Sequence, residues 1–98
     1  MIRVIIPSQL GSLTDAPREV EIDVDAPVTQ SRILDALESA HPSLRGMLRD
    51  PQSKKRRPMI RFFVAEEDVS HEDIDAELGD DVASGKEPFW IIAAISGG

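Results

Sequence analysis

The order of its hydrophobic periodicities constrains the fold of this 98-residue chain more than any other feature. Apolar and polar residues alternate over residues 1–6 and again over residues 19–25, which is the period-two pattern of half-buried strands. One helical stripe follows, and the chain then returns to short apolar runs. This order predicts an α+β domain in which a helix packs on one face of a sheet.

The two N-terminal strands predict a hairpin. The apolar face of the first strand consists of Ile2, Val4 and Ile6, and Pro7 ends the strand. In the second strand, Val20, Ile22 and Val24 alternate with acidic residues, so the opposite face meets water. The polar residues 8–17 between them are expected to form an irregular connector.

The helical stripe predicts the main helix. Thr29 is a suitable N-cap, and the residues that recur at helical spacing are Ile33, Leu34, Leu37 and Ala40. The helix is expected to stop at His41, because the residue before a proline avoids helical geometry. Ser43 is a candidate cap for a second helical turn that buries three further residues, namely Leu44, Met47 and Leu48.

The C-terminal half predicts further strands after a basic linker at residues 52–58. These are residues 59–65, a short strand starting at Val69 and a last strand over residues 89–95, with Leu78 and Val82 reaching the core. With the first and last strands parallel in the middle, this is the β-grasp, or ubiquitin-like, arrangement. We therefore expect a mixed sheet of four to five strands over residues 1–94 and a flexible tail at residues 95–98.

Composition restricts the class of protein. The chain has no cysteine, which excludes disulfides, thiolate metal sites and cysteine nucleophiles. Its net charge of −7 disfavours nucleic acid as a partner. We expect a cytoplasmic protein without a membrane anchor, because no apolar run is long enough to span a bilayer and no signal segment opens the chain. No metal site is expected at His41 or at the polar residues 71–73.

The C-terminal end carries the main functional hypothesis. The apolar residues 89–95 lead into Ser96, Gly97 and Gly98. Since glycine accepts nearly any backbone angle, such a tail suits passage through a narrow channel into the active site of another enzyme. The alternative is an untethered chain end without a function.

Three segments resemble the MoaD/ThiS family of ubiquitin-like sulfur carriers. Residues 1–5 look like its opening strand, residues 63–69 like its strand-turn-strand segment, and residues 95–98 like its terminal signature. Residues 47–51 and the basic linker are similar to longer members, including the carrier of one route of cysteine biosynthesis. The resemblance covers the whole chain.

The resemblance implies a carrier rather than an enzyme. An E1-like adenylyltransferase would use ATP and magnesium to adenylate Gly98, and a sulfur donor would convert the adenylate into a thiocarboxylate. A biosynthetic enzyme for molybdopterin, thiamine, cysteine or a related thio-metabolite would accept the sulfur. Gly97, Ser96 and Ile95 would thread the partner's active site, no cofactor would be bound, and the carrier would be monomeric when alone.

Strand periodicity predicts a docking patch. The four aromatic residues form two adjacent pairs, at residues 62–63 and 89–90. Adjacent side chains in a strand point to opposite faces, so one member of each pair faces away from the helix. Phe63, Trp90 and Ile92 are expected to form an exposed apolar patch that binds the partner enzyme; the alternative is that the linker or a second copy covers it.

Two other functions are compatible with these residues. The protein could be a ubiquitin-like modifier joined through Gly98 to lysines of target proteins, or a β-grasp binding module whose tail is inert. The cluster of basic residues at positions 54–57 is either a solvated loop or half of an electrostatic docking surface. A nuclear or nucleic-acid signal is the less favoured interpretation.

Overall fold

A computed structural model describes residues 1–93 of the chain. It contains a five-stranded sheet in the order β2-β1-β5-β3-β4. The strands are β1 (Ile2–Ile5), β2 (Glu19–Ile22), β3 (Ile60–Val64), β4 (Glu67–Asp68) and β5 (Phe89–Ala93). The helices are α1 (Ser8–Gly11), α2 (Gln30–Ala40) and α3 (Asp80–Ala83), with a 3-10 turn at Pro42–Leu44. The predicted β-grasp fold is confirmed.

The sheet is mixed because the two ends of the chain meet at its centre. β1 pairs with β2 in an antiparallel hairpin and with β5 in parallel, and β3 pairs with β5 in antiparallel. A parallel pair needs a crossover connection of a dozen or more residues. Here the chain between residues 6 and 88 provides it, and α2 is the main helix of that connection.

The core lies between the sheet and α2. Alternate residues of the three central strands are buried on the helix side, as are the helix residues Ile33, Leu34 and Leu37. Thr29 caps α2, since its hydroxyl oxygen accepts a hydrogen bond from the backbone N–H of Arg32 at 3.2 Å. The N-cap and most of the stripe are therefore as predicted, and the helix ends at Ala40, before His41.

Several local predictions are wrong. The connector after β1 contains the short helix α1, which buries Leu10. Ala40 is exposed, because it lies in the last turn of α2, while Glu38 is buried in its place. Ser43 lies inside the 3-10 turn and caps nothing. β4 begins at Glu67, two residues before the predicted Val69, because the preceding turn is shorter than expected.

A buried ion cluster joins α2 to the segment that follows it. The side chain of Arg49 is 2% exposed. Its Nε and Nη2 donate hydrogen bonds of 3.1 Å to the carboxylate of Glu38, and Nη2 also donates to Asp35. Burial alone lowers the pKa of Arg49, but the hydrogen bonds and charges of Glu38 and Asp35 outweigh it and raise the pKa above its ordinary value.

Replacement of Arg49 tests the weight of this cluster. Arg49→Ala should lower the free energy of unfolding by about 3 kcal/mol, because it leaves the Glu38 carboxylate buried without its partner. Urea denaturation followed by circular dichroism measures the loss. Arg45→Ala, at an exposed position nearby, should change stability by less than about 0.5 kcal/mol. Equal losses of stability in the two variants would show that the buried ion cluster does not stabilise the fold.

Candidate functional site

The candidate site is built on β5, the strand that leads to the C-terminal residues. β5 pairs on one side with β1, where Ile5 lies opposite Trp90, and on the other with β3, where Phe63 lies opposite Trp90. The last described residue, Ala93, lies opposite Ile60, and its carbonyl accepts a 3.5 Å hydrogen bond from Nε2 of Gln9. Backbone pairing with β1 therefore holds the start of β5, and pairing with β3 holds it as far as Ala93.

The two faces of β5 have opposite environments. Phe89 and Ile91 are completely buried under α2. Trp90 and Ile92 point to the open face and are 36% and 39% exposed. In β3 the same alternation buries Phe62, whose ring centroid is 5.2 Å from that of Phe89, and turns Phe63 outward beside Trp90. The structure thus brings the three predicted docking residues together on one surface.

These residues line a groove of about 520 Å³ on the open face of the sheet. Its lining residues are Phe63, Ala65, Glu66, Glu87, Pro88, Trp90 and Ile92. The floor is apolar, while the two glutamates lie at the end of the groove where β5 begins, away from Ala93. We call this surface the apolar groove. It adds Ala65, Pro88 and the two glutamates to the residues that the sequence pattern identified.

A strained turn forms one end of the apolar groove. Ala65 and Glu66 connect β3 to β4 as a two-residue turn, and both have positive φ, 49° and 69°. Positive φ at both central residues is the geometry of the type I′ hairpin turn, which glycine and asparagine favour. Because this turn contains neither, the sequence offers no signal for it. The predicted strands at residues 59–65 and from Val69 left residues 66–68 as the turn, which therefore begins one residue earlier than predicted.

A close contact between Met1 and the turn before β5 positions the second segment at this end of the groove. Gly85 has a φ of +84°, and a β-carbon there would lie 2.5 Å from the carbonyl oxygen of Met1. Nη1 of Arg3 donates a 3.1 Å hydrogen bond to the carbonyl of Gly85. This contact holds the turn before β5 against the start of β1, and so directs Glu87 and Pro88 into the groove.

A small charged cluster lies at the β3–β4 edge. Nη1 of Arg61 is 2.9 Å from Nε2 of His71 and 4.0 Å from the carboxylate of Asp68. Hydrogen bonds from Ser70 lower the pKa of Asp68, and the charge of Arg61 contributes in the same direction. Asp68 thus balances the charge of Arg61, which lies opposite Ile92 in the sheet. Glu66 and Glu87, in contrast, have no ion-pair partner among residues 1–93.

The predicted tail residues Ile95, Ser96, Gly97 and Gly98 lie outside the described residues, as does the predicted end of the last strand. Within residues 1–93, no three histidine or acidic side chains are placed to hold a metal ion together. In the same part of the chain, no helix has the length and apolar character needed to cross a membrane.

Solved structures similar to this chain have the same fold. A chain in the crystal structure of the Amycolatopsis orientalis BexX/CysO complex is 27% identical, with a TM-score of 0.74 and coverage of 100% of both chains. SAMP1 from Haloferax volcanii is 26% identical, with a TM-score of 0.73 and coverage of 99% of this chain and 98% of SAMP1.

A third structure supports the fold alone. Mycobacterium tuberculosis CysO, an antigen, is 24% identical, with a TM-score of 0.72 and coverage of 97% of this chain and 100% of CysO. No protein-family model matches the sequence, and no curated protein matches it. The similarity therefore rests on whole-chain structures with the β-grasp architecture.

The neighbours Phe62 and Phe63 test which face of the sheet is the core. Phe62→Ala should lower the free energy of unfolding by about 4 kcal/mol, because it leaves a cavity beside Phe89. Phe63→Ala should cost only about 1 kcal/mol, since its side chain is already partly exposed. Urea titration of both variants measures the difference in unfolding free energy. A larger loss of stability for Phe63→Ala would place the core on the other face of the sheet.

Proposed function

We propose that this protein is a sulfur carrier, and that its Gly98 carboxylate is loaded by an E1-like adenylyltransferase. The observation that carries the proposal is the full-length similarity to a chain of the BexX/CysO complex. CysO and SAMP1 are ubiquitin-like sulfur carriers or modifiers with the β-grasp fold. The Gly97-Gly98 ending is what such a carrier needs for chemistry at its C-terminal carbonyl.

Adenylation overcomes the low reactivity of the carboxylate. A carboxylate oxygen of Gly98 would attack the α-phosphorus of ATP and release pyrophosphate, with magnesium held by the partner enzyme. A donor carrying sulfur at the oxidation level of sulfide would then attack the carbonyl carbon and displace AMP. The product is a thiocarboxylate, whose sulfur is a nucleophile for the next biosynthetic enzyme. All of these steps belong to partners, in keeping with neighbours that are carriers rather than enzymes.

The apolar groove is the surface we propose for docking. Trp90 and Ile92 lie on the same strand that leads to Gly98, so a partner bound to Phe63, Trp90 and Ile92 is held close to the tail. The five residues after Ala93 can span at most about 18 Å. The partner's active site must therefore lie within that distance of the end of β5, with Ile95, Ser96 and Gly97 along the way.

A second function shares the first step. A ubiquitin-like modifier would also be adenylated at Gly98, but a lysine amine of a target protein would displace AMP and form an isopeptide bond. The similarity to SAMP1 is the observation that keeps this function open. The enzyme that accepts the sulfur would define the pathway, which could be the biosynthesis of molybdopterin, thiamine, cysteine or a related thio-metabolite.

Intact-mass measurement tests the loading of Gly98. The full chain, incubated with ATP, magnesium, sulfide and the E1-like enzymes of its host, should gain the mass difference between sulfur and oxygen. A chain that lacks Gly97 and Gly98 should gain nothing. Isopeptide-linked Gly98 on lysines of host proteins would indicate the modifier instead. An unchanged mass with every E1-like enzyme of the host, together with the absence of conjugates, would reject both functions.

Kinetics with the adenylating enzyme test the apolar groove. Trp90→Ala should raise KM for the carrier about 30-fold, which corresponds to a loss of about 2 kcal/mol of binding. The turnover number should change little, since Trp90 does not reach the reacting carbonyl. Leu13→Ala removes another exposed apolar side chain outside the groove and should leave KM unchanged. Equal KM values for the wild type and Trp90→Ala would exclude the groove as the docking surface.

A further inference from the structure

A second cavity lies on the opposite side of the sheet. It has a volume of about 330 Å³ and is bounded by α2, the segment 53–56 and β3. Its lining residues are Gln30, Ser31, Leu34, Arg49, residues 53–56, Phe62, Ser70 and Ile74. Phe62 faces the core side of β3, so this cavity is separated from the apolar groove by the thickness of the sheet. We call it the basic cavity.

The charge of the basic cavity is opposite to that of the protein. Four of the 11 basic residues of the chain line it, and none of its 18 acidic residues does. The chain as a whole has a net charge of −7. Glu38 and Asp35 neutralise Arg49, so the excess positive charge comes from Lys54, Lys55 and Arg56, which have no ion-pair partner within residues 1–93. Such a concavity in an otherwise acidic protein is a local attractor for anions, because field lines concentrate in a cleft with low-dielectric walls.

Arg49 supplies a buried guanidinium to this cavity. Its Nε and Nη2 are engaged by the carboxylates of Glu38 and Asp35, which lie outside the lining. Nη1 makes no hydrogen bond to any other group within residues 1–93. The two carboxylates therefore orient the guanidinium and leave one of its nitrogens available. An oriented donor loses little conformational entropy when it binds an anion.

Arg56 supplies a second oriented guanidinium. Its Nη1 donates a 2.6 Å hydrogen bond to the carbonyl of Ile60 and a 3.3 Å bond to that of Arg57, and its Nε donates to the carbonyl of Ser70 at 3.4 Å. Nη2 has no hydrogen-bond partner in the described part of the chain. Arg49 and Arg56 are also joined by an isolated backbone bridge, so the two donors belong to one structural unit.

The loop that carries the lysines is structured. The carboxylate of Asp50 accepts hydrogen bonds from the backbone N–H groups of Ser53 and Gln52 at 2.7 and 2.9 Å, which lower its pKa. The N–H of Lys54 donates to the carbonyl of Asp50 at 2.9 Å. Lys54 itself has a positive φ of 64°, a conformation that non-glycine residues rarely adopt and that clusters at functional sites.

The chemistry of the lining defines a ligand. Guanidinium groups with available nitrogens bind the oxygens of phosphate or carboxylate, and Lys54 and Lys55 add charge at the rim. Ile74, which is 41% exposed, provides the accessible apolar surface, while Leu34 and Phe62 are buried at the back of the cavity. The volume is at the lower end for small-molecule sites. We infer that the basic cavity binds a small organic oxyanion, one with a phosphate or carboxylate group attached to a compact apolar body. This site is independent of the chemistry proposed for Gly98.

Titration with phenyl phosphate, followed by two-dimensional amide NMR of the full chain, tests the inference. Saturable shifts should be confined to residues around the basic cavity. Inorganic phosphate, which lacks the apolar body, should bind about tenfold more weakly. Benzyl alcohol, which lacks the charge, should give no saturable shifts there. Saturation by benzyl alcohol, or phenyl phosphate shifts that are absent or lie elsewhere, would overturn it.

The three lysines of the chain provide a matched control. The double variant Lys54→Gln/Lys55→Gln keeps the loop length and should weaken phenyl phosphate binding about tenfold. Lys86→Gln removes one lysine charge from an exposed turn outside the cavity and should bind like the wild type. Wild-type affinity in the double variant would show that the two lysines do not contribute to binding. Equal weakening by Lys86→Gln would show that only overall charge attracts the anion. Either result would overturn the inference.

Discussion

The parallel ladder between β1 and β5 is the contact on which the rest of this structure depends. It joins the two ends of the chain at the centre of the sheet, with Val4 opposite Phe89 and Ile5 opposite Trp90. Parallel neighbours cannot be linked by a tight turn, so everything between them must form the crossover, the helix and the remaining strands. The close approach of Gly85 to Met1 fastens the same junction at its other end.

This central position also explains how one strand contributes to the core on one face and to the apolar groove on the other. Phe89 and Ile91 are buried under α2, while Trp90 and Ile92 are presented on the open face. β1 pairs with Phe89 and Trp90 at the start of β5, and β3 pairs with Trp90 to Ala93, so the strand that carries the groove is fixed in the sheet. A partner bound to this surface, as we propose, would lie at a short distance from the residues that follow β5.

The two sides of the sheet differ in electrostatics as well as in packing. The apolar groove ends at Glu66 and Glu87, whereas the basic cavity on the helix side is lined by arginine and lysine. The buried cluster around Arg49 connects α2 to the segment that leads into the basic linker at residues 52–58, so the linker is anchored to the folded domain. An isolated buried charge would be costly, and the paired carboxylates of Asp35 and Glu38 make its burial possible.

Period-two and helical patterns were sufficient to predict four of the five strands, the N-cap at Thr29 and the outward direction of Trp90. Alternation links each side chain to one face of the sheet, whichever strand pairs with it. They could not predict the Ala65-Glu66 turn, the burial of Glu38 or the convergence of Arg49 and Arg56. Those features depend on contacts between residues far apart in the chain, and ion pairing or left-handed backbone leaves no periodic trace. Local spacing thus defines which face a residue occupies, and long-range packing defines its neighbours there.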